Sequence, residues 1–202
     1  TIGHGVDTSY FQPPKHLSTP KDKIISVFGR IRKSKGQRDV IEAAAPLLRK
    51  NPKWKVQFIG TVDSEQYARE IKTIAKNNAV ENQLQFISQT NQMKSYYQNS
   101  SGVIIASYTE GFSLVCLEAM SCGCNTIATE QVGIHSEVIE HNKNGFLYPK
   151  GSISSLREII KKVFENPSIL EPKQIRQGIL IDWSTEVSAQ KLFEQYKKLR
   201  TV

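Results

Sequence analysis

Cysteine, histidine and tryptophan are scarce in this sequence, and long apolar runs are missing altogether. The three cysteines, Cys116, Cys122 and Cys124, lie within nine residues. An odd, crowded set is a poor disulfide framework and points to a reducing compartment. It also lacks the spacing of a zinc ribbon or finger, so buried free thiols are expected and no metal site. No apolar stretch approaches the roughly 18–20 residues of a membrane-spanning helix. Eight prolines and twelve glycines in 202 residues exclude collagen-like and Pro/Gly-rich disordered chains. An apolar share of 39% is too high for a disordered tail. What is left is a globular chain long enough for one large domain, or at most two small ones, with a proper core.

Acidic residues are the scarcer sign of charge: 19 Asp and Glu against 27 Lys and Arg, a net +8. That excess favours an anionic partner, whether a phosphorylated ligand, nucleic acid or an acidic membrane surface. The sequence has no signal peptide. It opens on Thr1 inside what reads as ordered chain, so the natural N-terminus and any targeting segment are expected to lie outside these residues.

Residues 1–22 read as an irregular lead-in, with Pro13, Pro14 and Pro20 among polar residues. After them β-rich runs alternate with amphipathic stretches. Ile24–Phe28 is an apolar run ending at Gly29, as a strand buried on both faces should be. Between Gly36 and Lys50 the apolar positions Val40, Ile41, Ala44, Leu47 and Leu48 recur at helical spacing. The alternation continues with strands at Trp54–Ile59, Leu84–Ile87, Gly102–Ala106, Asn125–Thr129 and Gly145–Tyr148. Helices fall between them at Ser64–Asn78, Asn91–Asn99, Ser113–Ser121 and His135–Glu140, then follow at Ser152–Glu165, Glu171–Gln177 and Thr185–Arg200. This rhythm predicts an α/β fold, a Rossmann-like parallel sheet with helices on both faces. Ligands of such sheets sit beyond the carboxyl ends of the strands, which directs attention to the post-strand loops.

Two of those loops carry chemistry. Ser107-Tyr-Thr-Glu110-Gly111-Phe112-Ser113-Leu114 leaves a buried strand and opens a helix that holds Glu118. Free N–H groups and the positive end of the helix dipole make an anion site there. Gly111 permits close approach of a ligand, and Ser113 is placed to cap the helix. Glu110 and Glu118 could accept hydrogen bonds from the hydroxyls of a sugar and a ribose; they could equally be solvated loop and helix glutamates. The second loop, Gly29-Arg30-Ile-Arg32-Lys33-Ser34-Lys35-Gly36, places four cations in six residues and could clamp a diphosphate, or simply be solvated. It is neither a GxxxxGK[ST] loop nor GxGxxG. Gly111-Phe-Ser113 lacks the closing glycine of a GxSxG elbow. His4, His16, His135 and His141 are scattered, none beside a nucleophile in the sequence. No Asp-x-Asp pair is present to hold a metal with nucleotide phosphates. Aromatics are not interleaved with the basic loop as nucleic-acid stacking requires.

These residues together resemble family 4 glycosyltransferases of the GT-B fold. Glu110…Glu118-Ala-Met…Gly123 is similar to that family's E-x7-E region, and Phe28-Gly29-Arg30…Lys35-Gly36 to its phosphate-contacting loop. Gly133…Glu137 and Asn144-Gly145 match further family positions in order, and Gly5-Val6-Asp7…Phe11-x-Pro13 resembles its interdomain linker. His4–Asp7 and Gly29–Arg32 look most like lipopolysaccharide-core hexosyltransferases, mannosyltransferases included. Asn125 departs from the family's usual proline, which bears on the start of a strand more than on chemistry.

The resemblance implies the donor-binding half of a retaining glycosyltransferase. Residues 1–22 would be an interdomain linker, 23–183 the nucleotide-sugar domain, and 184–202 a C-terminal helix packing toward an N-terminal acceptor domain absent from this chain. By the same resemblance Arg30 and Lys35 would neutralise the departing diphosphate. Glu110 and the N–H groups of Gly111–Leu114 would hold the sugar and distal phosphate, and Glu118 the ribose. Gly29 would belong to the donor site, with Ser88 and Gln89 lining the base. The implied partners are a GDP- or UDP-linked sugar donor, without further cofactor or metal, and a glycan or lipid-linked acceptor; nucleic acid is not among them. The expected location is cytoplasmic, or peripheral on the inner face of the plasma membrane, and this fragment alone is expected to transfer little. Two other readings stay open: a nucleotide-sugar epimerase-type enzyme on the same scaffold, and a basic nucleic-acid-binding module.

Overall fold

In a computed structural model of the chain, residues 4–15 and 21–200 are described. Thr1, His16, Pro20 and the last two residues, named or spanned above, lie outside them. The strands are β1 (Asp22–Phe28), β2 (Lys55–Ile59), β3 (Leu84–Ile87), β4 (Ser100–Ile105), β5 (Thr126–Thr129) and β6 (Phe146–Tyr148). The helices are α1 (Gln37–Lys50), α2 (Glu65–Asn77), α3 (Met93–Asn99), α4 (Leu114–Ser121), α5 (His135–Val138), α6 (Ile153–Glu165), α7 (Pro172–Asp182) and α8 (Thr185–Arg200). Every adjacent strand pair is parallel, in the order β3-β2-β1-β4-β5-β6. The expected Rossmann-like α/β sheet is therefore present, and its order reverses direction between β1 and β4.

Helices α1, α2 and α6 pack together on one face, and α3, α4 and α7 on the other. Ile25, Val56, Phe58, Val103, Ile104 and Ile127 are buried between the layers. Helix α1 contains Pro46, which has no N–H for the Glu42 carbonyl one turn earlier. The freed acceptor is met from α6, where Arg157 Nη2 donates to Glu42 O at 3.1 Å. A proline is thus tolerated because a neighbouring helix supplies the missing donor.

Several boundaries differ from expectation for identifiable reasons. Strand β4 begins at Ser100, two residues early, because the Ser101 hydroxyl is anchored on Asp22 O and both serines are buried. Helix α7 runs past Gln177 to Asp182, since the buried pair Ile175 and Ile179 continues its inner face across Gly178. The lead-in is irregular but docked. Val6 bridges to Ser184, and Arg176 donates to the Phe11 and Thr8 carbonyls at 2.8 and 2.7 Å. Asn125 does act at the start of β5: its side-chain amide donates to Ser101 O and Pro167 O, both at 2.8 Å.

Candidate active site at the reversal of strand order

The first loops beyond β1 and β4 meet where the sheet order reverses, the position at which open α/β sheets leave a crevice. Residues Lys33–Lys35 form one 3-10 turn, which the sequence reading missed, and it directs Lys35 inward. Lys35 Nζ lies 2.6 Å from Glu110 Oε1, and the two side chains are only 16% and 15% exposed. The Ser107 hydroxyl donates to the same carboxylate oxygen at 2.6 Å. Gly36 makes this approach possible. It has φ +66, and a Cβ there would overlap the Ala106 carbonyl at the end of β4.

Arg30 takes another course. Its guanidinium is 64% exposed and lies 3.8 Å from Asp63, which also meets Arg32 at 3.5 Å. Asp63, just beyond β2, went unnoticed in the sequence; its signal is that it too stands in a post-strand loop. Gly29 and Arg30 line a cleft of about 380 Å³ with Gly60, Thr61, Gln89 and Met93. Ser88 is exposed and does not line that cleft.

The entrance to α4 is held in an unusual state. Ser113 sits at the N-cap position with φ +93, and its side chain makes no cap bond to the helix. Its hydroxyl instead reaches His135 Nε2 at 2.8 Å, while His135 Nδ1 lies 2.8 Å from Thr129 O. A carbonyl can only accept, so Nδ1 carries the proton and Nε2 accepts from Ser113. Burial pushes the His135 pKa down and keeps the ring neutral. The same loop reaches Ser113's neighbour as well. Ile134 N–H donates to Phe112 O at 3.2 Å, and a Cβ on Gly133 would stand only 2.7 Å from that oxygen. So the end of the β5–α5 loop and the first residue of α5 hold the β4–α4 loop through two hydrogen bonds, at a closeness that glycine at 133 allows. A serine and a histidine far apart in sequence are thereby paired, contrary to the impression of isolated histidines. The outer ring nitrogen faces a carbonyl rather than a carboxylate, and Ser113 is buried, so the pair positions backbone rather than making a nucleophile.

Among the described residues no acceptor meets the N–H groups of Gly111, Phe112, Ser113, Leu114 or Val115. These donors follow Glu110 directly along the chain and make the entrance to α4 a candidate anion site. Glu118, one turn along, accepts from the Tyr97 hydroxyl at 2.7 Å. Burial holds the Glu118 carboxyl above its ordinary value despite that bond. Tyr97 itself is fully buried and packs 4.5 Å from the Phe28 ring, tying Glu118 to the end of β1. The structure therefore pairs Lys35 with Glu110 just before α4, ties Glu118 within α4 to Tyr97, and gathers Gly29, Arg30 and Gln89 in the cleft of about 380 Å³. Cys116, Cys122 and Cys124 are buried free thiols.

The family profile described as "Glycosyl transferases group 1" matches residues 10–179. The chain belongs to that glycosyltransferase family. Among group 1 relatives, the lipopolysaccharide core biosynthesis mannosyltransferase LpsB of Rhizobium meliloti is 30% identical over 148 residues, covering 68% of this chain and 42% of LpsB. The C-terminal domain of a group 1 protein, LpcC of Francisella tularensis, superposes with a TM-score of 0.75 at 30% identity, covering 93% of this chain and 98% of that one. Anabaena HepE in complex with UDP has the same fold, with a TM-score of 0.85 at 21% identity over 96% of this chain and 56% of HepE. The sheet and its helices are thus one half of a GT-B fold. This chain spans about half the length of the curated relatives it matches. No helix among the described residues is long and apolar enough to cross a membrane.

Proposed function

We propose that this chain is the nucleotide-sugar-binding half of a retaining glycosyltransferase that moves a hexose to a glycan acceptor in lipopolysaccharide-core or related surface-polysaccharide synthesis. One observation carries the reading. Glu110, in a part-buried pair with Lys35, directly precedes the unpaired N–H groups at the entrance to α4, at the reversal of strand order. A diphosphate arriving there replaces water with preorganised donors, which stabilise charge as it develops on a leaving group. In the ligand-free chain Glu110 and Ser107 preorganise Lys35. Upon binding, Lys35 and the exposed Arg30 would neutralise the diphosphate as its bond to the sugar breaks. Glu110 is then placed to accept from the sugar hydroxyls, and Glu118 from the ribose. Gln89 and the cleft beyond Gly29 suit the base. The name of the mannosyltransferase relative supports a hexose donor, which would be GDP- or UDP-linked.

In this reading residues 23–183 are the donor domain and 184–202 the helix that returns toward an acceptor domain, with residues 1–22 as the link. The acceptor is a glycan or lipid-linked glycan, held at the inner membrane face. Thermal-shift titration with UDP, GDP and ADP tests the reading directly. One diphosphate should stabilise the chain, by about 2.7 kcal/mol at a hundredfold excess over its dissociation constant. The shift should vanish in Lys35→Ala and shrink in Arg30→Ala. Three flat curves would defeat the proposal. Sugar transfer by these 202 residues alone is expected to be negligible, and efficient transfer would defeat the division into halves.

A further inference from the structure

Behind the Lys33–Lys35 turn, away from Glu110, a second hollow of about 640 Å³ opens between the first turns of α1, α2 and α6. That volume falls within the roughly 300–1,000 Å³ of small-molecule sites. One wall is Tyr108, which is 37% exposed and donates from its hydroxyl to Asp39 Oδ2 at 2.6 Å. Ile153 adds apolar surface beside it. Opposite, Arg38 bridges Glu42 at 2.8 Å and Glu70 at 3.4 Å, giving a rim of fixed charged groups.

This lining selects its ligand by elimination. Asp39, Glu42 and Glu70 outnumber Lys33 and Arg38, and Arg38 is already engaged, so an anion is repelled. A cation gains little either, because Asp39 is already engaged by Tyr108, and Glu42 and Glu70 by Arg38. A wholly apolar guest would strip water from the carboxylates and return no donors. A neutral pyranose satisfies every wall: its hydroxyls donate to carboxylates and accept from arginine, and its C–H face covers tyrosine. The Tyr108 N–H donates to Ser34 O at 2.8 Å, and Ser34 is followed by Lys35, so the hollow shares a wall with the candidate active site. We infer that the hollow is a subsite for a neutral sugar residue of a glycan, separate from the nucleotide position. The subsite stands on its own lining; only its use in holding a growing acceptor rests on the glycosyltransferase reading.

The test titrates the 202-residue chain with methyl α-D-glucopyranoside, methyl α-D-mannopyranoside and, as a charged control, methyl glucuronide, read by saturation-transfer NMR. At least one neutral glycoside should bind saturably, the glucuronide should bind several-fold more weakly, and neither UDP nor GDP should displace the sugar. Tyr108→Ala should weaken binding about tenfold or more, a change of about 1.4 kcal/mol. Glu70→Ala, on an exposed helix face, should weaken it too and keeps the test valid if the tyrosine variant folds poorly. The subsite is overturned by no saturable binding of either neutral sugar, by equal or better binding of the glucuronide, by displacement with nucleotide, or by undiminished binding in both variants. Nucleotide thermal shifts on the same samples report separately on the donor site, so either reading can fail without the other.

Discussion

Glu118 shows how one residue can trade stability for binding. Its carboxyl is raised by burial, so between about 4.5 and its native value the folded chain holds a proton that the unfolded chain has released. Stability from this group is complete below that window and is lost as pH rises through it. Glu118→Gln keeps the shape and the Tyr97 contact without a buried charge. Its melting temperature at pH 7 should equal or exceed the parent's by a few degrees, about 1 kcal/mol at most. On the proposed function, nucleoside diphosphate affinity should nonetheless fall about tenfold, because a neutral amide would replace a charged acceptor for the ribose. Melting curves at pH 5 and 7 with a parallel nucleotide titration check both halves. A variant that loses stability and affinity together would make Glu118 a purely structural residue. The glutamates were legible from their place around a post-strand loop. Their partners were not, because Tyr97 and Lys35 lie 21 and 75 residues away and only the packed sheet brings them near.

At the scale of elements, the site depends on one loop holding another. Ser113 has φ +93, a conformation that favours glycine, and the β5–α5 loop holds it there through His135, Ile134 and Gly133. If that clamp sets the N–H groups at the entrance to α4, His135→Ala should weaken diphosphate binding about tenfold in the parent. In a Ser113→Gly background the same change should cost far less, since glycine adopts the conformation unaided. A double-mutant cycle should give a coupling of about 1 kcal/mol or more, and an additive cycle would remove the clamp from the account. His135 also adds a pH signature. Its depressed pKa means the unfolded chain binds the extra proton below about 6.5, so its contribution is complete above that value and lost as pH falls. Strand and helix alternation was readable because its periods are local. The Ser113 conformation was not, since serine at a helix start suggests an ordinary cap, and the contact that overrides this comes from a loop 22 residues on. Pro46 is the same lesson reversed: a helix breaker survives inside α1 because Arg157 donates from another helix.

For the whole molecule, the net +8 takes on a structural meaning. In a parallel sheet the helices that return after the strands end on one side, and the last turns of α1, α2 and α6 carry Arg49, Lys50, Lys76 and Lys162. Those cations complement the negative ends of the dipoles, so part of the excess is explained by the fold rather than by a nucleic-acid partner. The apolar surplus is concentrated elsewhere. Along α8, Leu192, Phe193, Tyr196 and Leu199 are 54%, 59%, 64% and 77% exposed, at the three-and-four spacing of one helical stripe. Such a stripe contributes little to this domain and is what the proposed acceptor half would cover. Leu192→Glu with Phe193→Glu should therefore leave the melting temperature within about 4 °C, as surface changes do, and the nucleotide response intact. Binding of an apolar dye should fall, because the stripe is what the dye would cover. In the protein that carries the acceptor half, the same pair should lower transfer while donor binding persists. A large loss of stability in the 202 residues alone would instead show that the stripe belongs to this domain's own core.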